Sequence, residues 1–199
     1  MMGKHQMARI EPLPREQLAE YEPIFQGMVD SIGYVPNSFL TMARNPALLN
    51  AVGALSDAMW YPKTVSEPLR RLVTFAYSHY AGSYYSSAHC ACGAEELGLP
   101  REKIESIFDY ETSPVYSDAE RAVLRLCRHA ARIPGEVTDK DVEDLKVHFS
   151  VETVTFIVGL ICFMAFLNKW NEIAKTRLED VPFEWAKRNL TGLGWRLDR

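Results

Sequence analysis

The chain has 199 residues, of which 47% are hydrophobic and 24% charged, and it carries a formal net charge of -4 at pH 7. Such a chain builds one ordinary globular domain with a sizeable core, and its mild acidity gives no electrostatic reason to expect nucleic acid or an anionic membrane as a partner. A small-molecule substrate and other protein chains remain open as partners.

The opening M-M-G-K-H-Q-M-A-R-I-E-P lacks the apolar core of a secretory leader, so a cytoplasmic location is expected. Pro14 opens a helical segment, R-E-Q-L-A-E-Y-E-P-I-F-Q-G-M-V-D-S-I, with Gly33 just beyond it. Asn45 before Pro46 is a cap followed by a first-turn residue. Thr64 with Glu67, and Ser117 with Glu120, have capping-box spacing and predict two further helix starts. Between them a helix from about Ser83 to Leu97 is closed by Gly98, and Pro100 opens R-E-K-I-E-S-I-F. Thr138 or Asp139 caps the next segment. The apolar run Val154 to Leu167 is shorter than the ~20 residues a membrane span needs and reads as a buried core helix.

No run alternates in the manner of a strand, so the expected fold is all-α, with seven or eight helices. Residues 1–177 read as a single domain. The less regular tail, 178–199, holds Trp185 and Trp195 and is expected to pack on the core or on a neighbouring subunit.

The stretch H-Y-A-G-S-Y-Y-S-S-A-H-C-A-C, residues 79 to 92, concentrates the chemistry-bearing side chains. A helix advances ~100° per residue, so Ser83, Ser86 and Cys90 share a face while His89 and Cys92 turn away from it. His79 and His89 flank the Ala81-Gly82 bend and are placed to face one pocket, with Tyr85 and its neighbouring tyrosines around it. Ser83 is equally an ordinary helix cap, and Glu95 and Glu96 an ordinary solvated face. Cys90 and Cys92 diverge too far on a helix to close a disulfide, and the spacing matches no standard zinc pattern, so no metal is expected.

Three stretches, G-Y-V-P-N-S-F-L-T-M-A-R-N-P-A-L-L-N-A, then V-S-E-P-L-R-R-L-V-T-F-A-Y-S-H-Y-A-G-S-Y-Y-S-S-A-H, then G-A-E-E-L-G-L-P-R-E-K-I, together resemble the superfamily of carboxymuconolactone decarboxylases and alkylhydroperoxidase D-like proteins. The resemblance runs from about residue 30 to about residue 173. It implies an all-helical fold that assembles as a homo-oligomer (trimer, hexamer or dimer), with a small site at the start of the helix near Ser83. In the peroxidase branch that site is a C-x-x-C pair, a histidine one turn later and a glutamate on the preceding helix. Aligned residue by residue, the cysteine positions fall on Ser83 and Ser86. The histidine position falls on Cys90, with His89 one residue early, and the glutamate position falls on Arg71, one turn after Glu67.

Serine cannot form the disulfide on which dithiol chemistry depends. The resemblance then implies three alternatives. The first is a decarboxylase-like enzyme, without cofactor, acting on a small organic acid or lactone. In it Arg71 holds a carboxylate, Ser83 and Ser86 bind developing negative charge, His89, aided by His79 or Cys90, moves protons, and Tyr85 and Trp170 line the pocket. The second is a peroxidase-type dithiol enzyme with both cysteines replaced by serine. The third is a binding or structural oligomer without catalysis.

Overall fold

The computed structural model describes residues 8–60 and 64–196; residues 1–7, which carry most of the segment read for a secretory leader, and the end of the tail, 197–199, lie outside them. Among the described residues the chain forms ten α-helices joined by turns and short 3-10 segments, with no strand. Eight of these have ten residues or more: α1 (Glu22–Ile32), α3 (Pro46–Trp60), α4 (Glu67–Tyr80), α5 (Tyr84–Glu96), α7 (Asp118–Ala130), α8 (Asp139–His148), α9 (Val151–Ala174) and α10 (Asp180–Asn189). Two are short, α2 (Asn37–Met42) and α6 (Arg101–Glu105). The all-α expectation is therefore what the structure shows.

Two helix starts differ from the sequence reading, both because of proline. The segment after Pro14 is broken into two 3-10 turns, and α1 begins only at Glu22. A helix running from Pro14 through to Ile32 would hold Pro23 in its interior, where proline loses a hydrogen bond and clashes with the preceding turn. Likewise the Thr64–Glu67 capping box does not form: Ser66 is the cap, and it makes no side-chain cap bond. A start at Thr64 would put Pro68 where the first intrahelical N–H is needed, whereas a start at Glu67 leaves it in the first turn, where no bond is lost. The box at Ser117 does form, with Glu120 reaching back to the cap, and Thr138 rather than Asp139 caps α8, where Asp141 completes a second box.

Helix α4 is the centre of the bundle. Its residues from Arg70 to Ser78 are all buried, because α5, α7 and α9 pack around it. Helix α9 is long and apolar enough to cross a membrane by length and composition, but Ile157, Leu160, Phe163 and Met164 are instead buried in this bundle. In the tail, α10 lies on α5 of the same chain. Trp185 donates its indole N–H to Glu95 (2.6 Å), and Trp195 donates its own to the Tyr84 carbonyl (2.7 Å), which fastens the tail along α5.

Candidate active site

A two-residue bend joins the central helix to α5. Gly82 adopts φ of 70°, a left-handed conformation that glycine enters without the steric penalty other residues meet. Ser83 follows as the cap of α5, its hydroxyl accepting from the Ser86 amide at 3.4 Å. The two serines thus sit where the resemblance aligns a cysteine pair, but the first is occupied in holding the helix end.

Beyond the cap, α5 presents two adjacent stripes to a cavity of about 140 Å³. Ser86, Cys90 and Gly93 form one, and Tyr85, His89, Cys92 and Glu96 form the other. The expectation that His89 and Cys92 turn away is therefore corrected: the cavity wraps around enough of the helix to take both stripes, which lie only ~60° to 100° apart. Glu96, read as solvated, lines it as well. Ile24, Met28, Phe39, Trp60, Met164 and Leu167 supply the apolar walls.

Arg71 enters from the central helix. Its side chain is buried, its Nε donates to Glu67 Oε1 at 2.6 Å, and its guanidinium lies 4.8 Å over the Trp60 ring. Glu67 also pairs with Arg70. Where Arg71 passes α5 it meets Gly93, whose position would hold a Cβ in ordinary contact, 3.8 Å from Nη1. Burial lowers the Arg71 pKa, partly offset by Cys90 and Glu96. Arginine starts so high that it remains a cation at neutral pH. Across the cavity the side-chain oxygen of buried Asn171 has no hydrogen-bond partner among the described residues.

The most connected group is His89. Its Nδ1 lies 2.8 Å from the Tyr34 hydroxyl, and its Nε2 pairs with Glu179 Oε2. The Tyr85 ring leans against the imidazole, with centroids 4.6 Å apart, and the Tyr85 hydroxyl donates to Glu179 Oε1 at 3.0 Å. The Asn37 amide donates to the same oxygen at 2.5 Å. Burial works to raise the Glu179 carboxyl, but the charge and hydrogen bond of His89 and the Asn37 amide outweigh it, leaving the group below its ordinary value. Tyr34 is pushed well above the ordinary phenol, first by burial and then by the Glu179 charge.

The thiols differ. Burial raises Cys90 despite help from Thr74 and Arg71, and raises Cys92 to about 12, so both are protonated at neutral pH.

Of the residues singled out in the sequence, the structure brings Arg71, Tyr85, Ser86, His89 and Cys90 together on this cavity. The others lie elsewhere. His79 faces a separate groove with Phe108, Arg128 and Arg132, because on the central helix it stands ~80° round from Arg71. Trp170 points to α2 and donates to the Thr41 hydroxyl at 3.2 Å. Tyr34 and Glu179 were not anticipated. Tyr34 stands within the first matching stretch, but nothing in a sequence shows that residue 179 folds back onto residue 89.

The comparisons fit this architecture. A model of the carboxymuconolactone decarboxylase family matches residues 46–129. The apo structure of the debrominase Bmp8 is 30% identical, with a TM-score of 0.82, and the match covers 88% of this chain and 94% of that one. A cysteine-to-alanine variant of the same debrominase in complex with 2,3,4-tribromopyrrole is 28% identical, with a TM-score of 0.86 over 93% of this chain and 99% of that one. An alkylhydroperoxidase AhpD core, described as an uncharacterized peroxidase-related protein from Ralstonia eutropha JMP134, shares the fold at 22% identity and a TM-score of 0.76, covering 90% of this chain and 96% of that one. No curated protein matches. The chain belongs to the superfamily of carboxymuconolactone decarboxylases and AhpD-like proteins.

Proposed function

We propose that the chain is an enzyme of acid/base type that uses its own side chains, without a cofactor, to move a proton on a small carboxylated ring or lactone. The observation that carries this is His89, held between Glu179 and Tyr34 on the wall of a cavity that also contains the Arg71 cation. The cavity volume of about 140 Å³ is close to the ~150 Å³ of an engineered cavity that takes benzene, which supports a substrate of one ring. Arg71 suits a carboxylate on that ring, and Asn171 offers an acceptor to a substrate N–H or O–H. The tribromopyrrole in the debrominase variant is also a single ring.

Dithiol chemistry draws less support. Replacing a carbon–bromine bond by carbon–hydrogen, or reducing a peroxide, consumes two electrons, and the serines at 83 and 86 have none to give. The cavity thiols Cys90 and Cys92 are protonated and project from one helix too divergently to close a disulfide.

Carboxymuconolactone and related carboxylated lactones, with loss of CO2 or uptake of solvent deuterium as the readout, test the reading. Turnover should fall by ~100-fold or more in His89→Ala. Arg71→Met should raise KM by roughly 10-fold or more, the loss expected for a charged hydrogen bond. Unchanged turnover in His89→Ala overturns the assignment. Hydroperoxide reduction gained by Ser83→Cys/Ser86→Cys would favour the dithiol reading instead.

A further inference from the structure

We infer that Tyr34, and not His89, is the group that exchanges the proton with the substrate, as the outer end of a Tyr34–His89–Glu179 relay; this rests on the acid/base reading above. Three observations carry it. Both ring nitrogens of His89 are engaged, Nδ1 with the Tyr34 hydroxyl at 2.8 Å and Nε2 with Glu179, so neither has a lone pair or proton left for a ligand. Tyr34 lines the cavity, and Glu179 does not. Glu179 is fixed independently by the Asn37 amide and the Tyr85 hydroxyl, so the far end of the relay is anchored before any ligand arrives.

The proton assignment follows from donor and acceptor chemistry. An ionised carboxylate only accepts, so the proton between His89 and Glu179 sits on Nε2. When the ring carries this one proton, Nδ1 is an acceptor and the Tyr34 O–H donates to it. When a substrate C–H or O–H is deprotonated, its proton passes to the Tyr34 oxygen while the Tyr34 proton passes to Nδ1. The tyrosine is regenerated neutral, the imidazole becomes an imidazolium beside the Glu179 carboxylate, and the substrate keeps the electron pair as an anion near Arg71. Running the same transfers backwards delivers the proton to another atom of the substrate. No oxidant or reductant is consumed. Tyr34 is too weak an acid in this buried setting to work as a free phenolate, which is why the histidine behind it is needed.

Two readouts test the relay. The long-range proton–nitrogen spectrum of the histidines in the intact protein should show His89 with a protonated Nε2 and an accepting Nδ1, identified by loss of its signals in His89→Gln. Tyr34→Phe should move the Nδ1 resonance, and Glu179→Gln should release the tautomer. With carboxymuconolactone, Tyr34→Phe should lower kcat by ~100-fold or more, matching His89→Gln, with KM within roughly threefold. Wild-type kcat in Tyr34→Phe beside a crippled His89→Gln overturns the relay and leaves the acid/base reading standing. A wild type inert toward every carboxylated lactone overturns that reading, and the nitrogen spectrum then decides the relay alone: an Nδ1 resonance unmoved by Tyr34→Phe removes it.

Discussion

His79 and His89 stand ten positions apart and meet opposite surroundings. His89 has an anion on one nitrogen and a hydroxyl on the other, while His79 is packed between Phe75 and Phe108, at centroid distances of 5.4 and 5.0 Å. Burial lowers the His79 pKa from 6.5 to about 4. The other groups facing its groove are Tyr80, Tyr110 and the cations Arg128 and Arg132, with no carboxylate among them. In the window between 6.5 and about 4 the unfolded chain binds a proton at this residue and the folded chain does not, so stability falls as pH falls through it. His79→Leu should therefore flatten the decline in urea midpoint across that window. Glu179 acts lower, below its ordinary 4.5: its depressed pKa stabilises the fold above that value and the contribution is lost on further acidification. A His79→Leu protein as acid-sensitive as wild type between 6.5 and about 4 would contradict this division.

Helix α5 lends the cavity more wall residues than any other helix, and its two ends are held in different ways. At the start, Ser83 supplies one cap bond, so Ser83→Ala should lower stability by about 1 kcal/mol, read from thermal unfolding, with kcat intact. A collapse of kcat in that variant would return Ser83 to the reaction. Along the outside, Trp185 fastens α10 through Glu95. Trp185→Ala removes a buried aromatic and an indole hydrogen bond, with an expected loss of about 3 to 5 kcal/mol in urea unfolding. Under native conditions it should also release the Glu179 partner of His89, visible as a change in the histidine nitrogen spectrum. These contrasts mark what the sequence conveys. Caps at Ser117 and Thr138 are legible because cap and partner are three residues apart. The Thr64 box misleads because a proline four residues on overrules it. The carboxylate at His89 is invisible because ninety residues separate the pair, and no local pattern encodes that closure.

At the scale of the whole molecule, α9 carries an exposed apolar stripe. Val151, Val158, Phe166 and Ile173 are exposed, with exposed Cys162 between them. Steps of seven or eight residues keep such a stripe straight along a helix, as in a helix–helix seam. The homo-oligomer that the sequence resemblance implies is accordingly proposed to seat a second copy here. Phe166→Glu should lower the mass measured by light scattering while leaving helical circular dichroism unchanged; an unchanged mass would place the contact elsewhere. Every residue named on the cavity wall lies between positions 24 and 171, whereas the carboxylate behind His89 comes from position 179. The segment that brings this carboxylate also brings Trp185 and Trp195 into the core, so a cut near Leu178 should take away the counter-charge of His89 and part of the packing around α5 together. In the proposed reaction, the proton path and the anchoring of α5 therefore depend on the same stretch of chain.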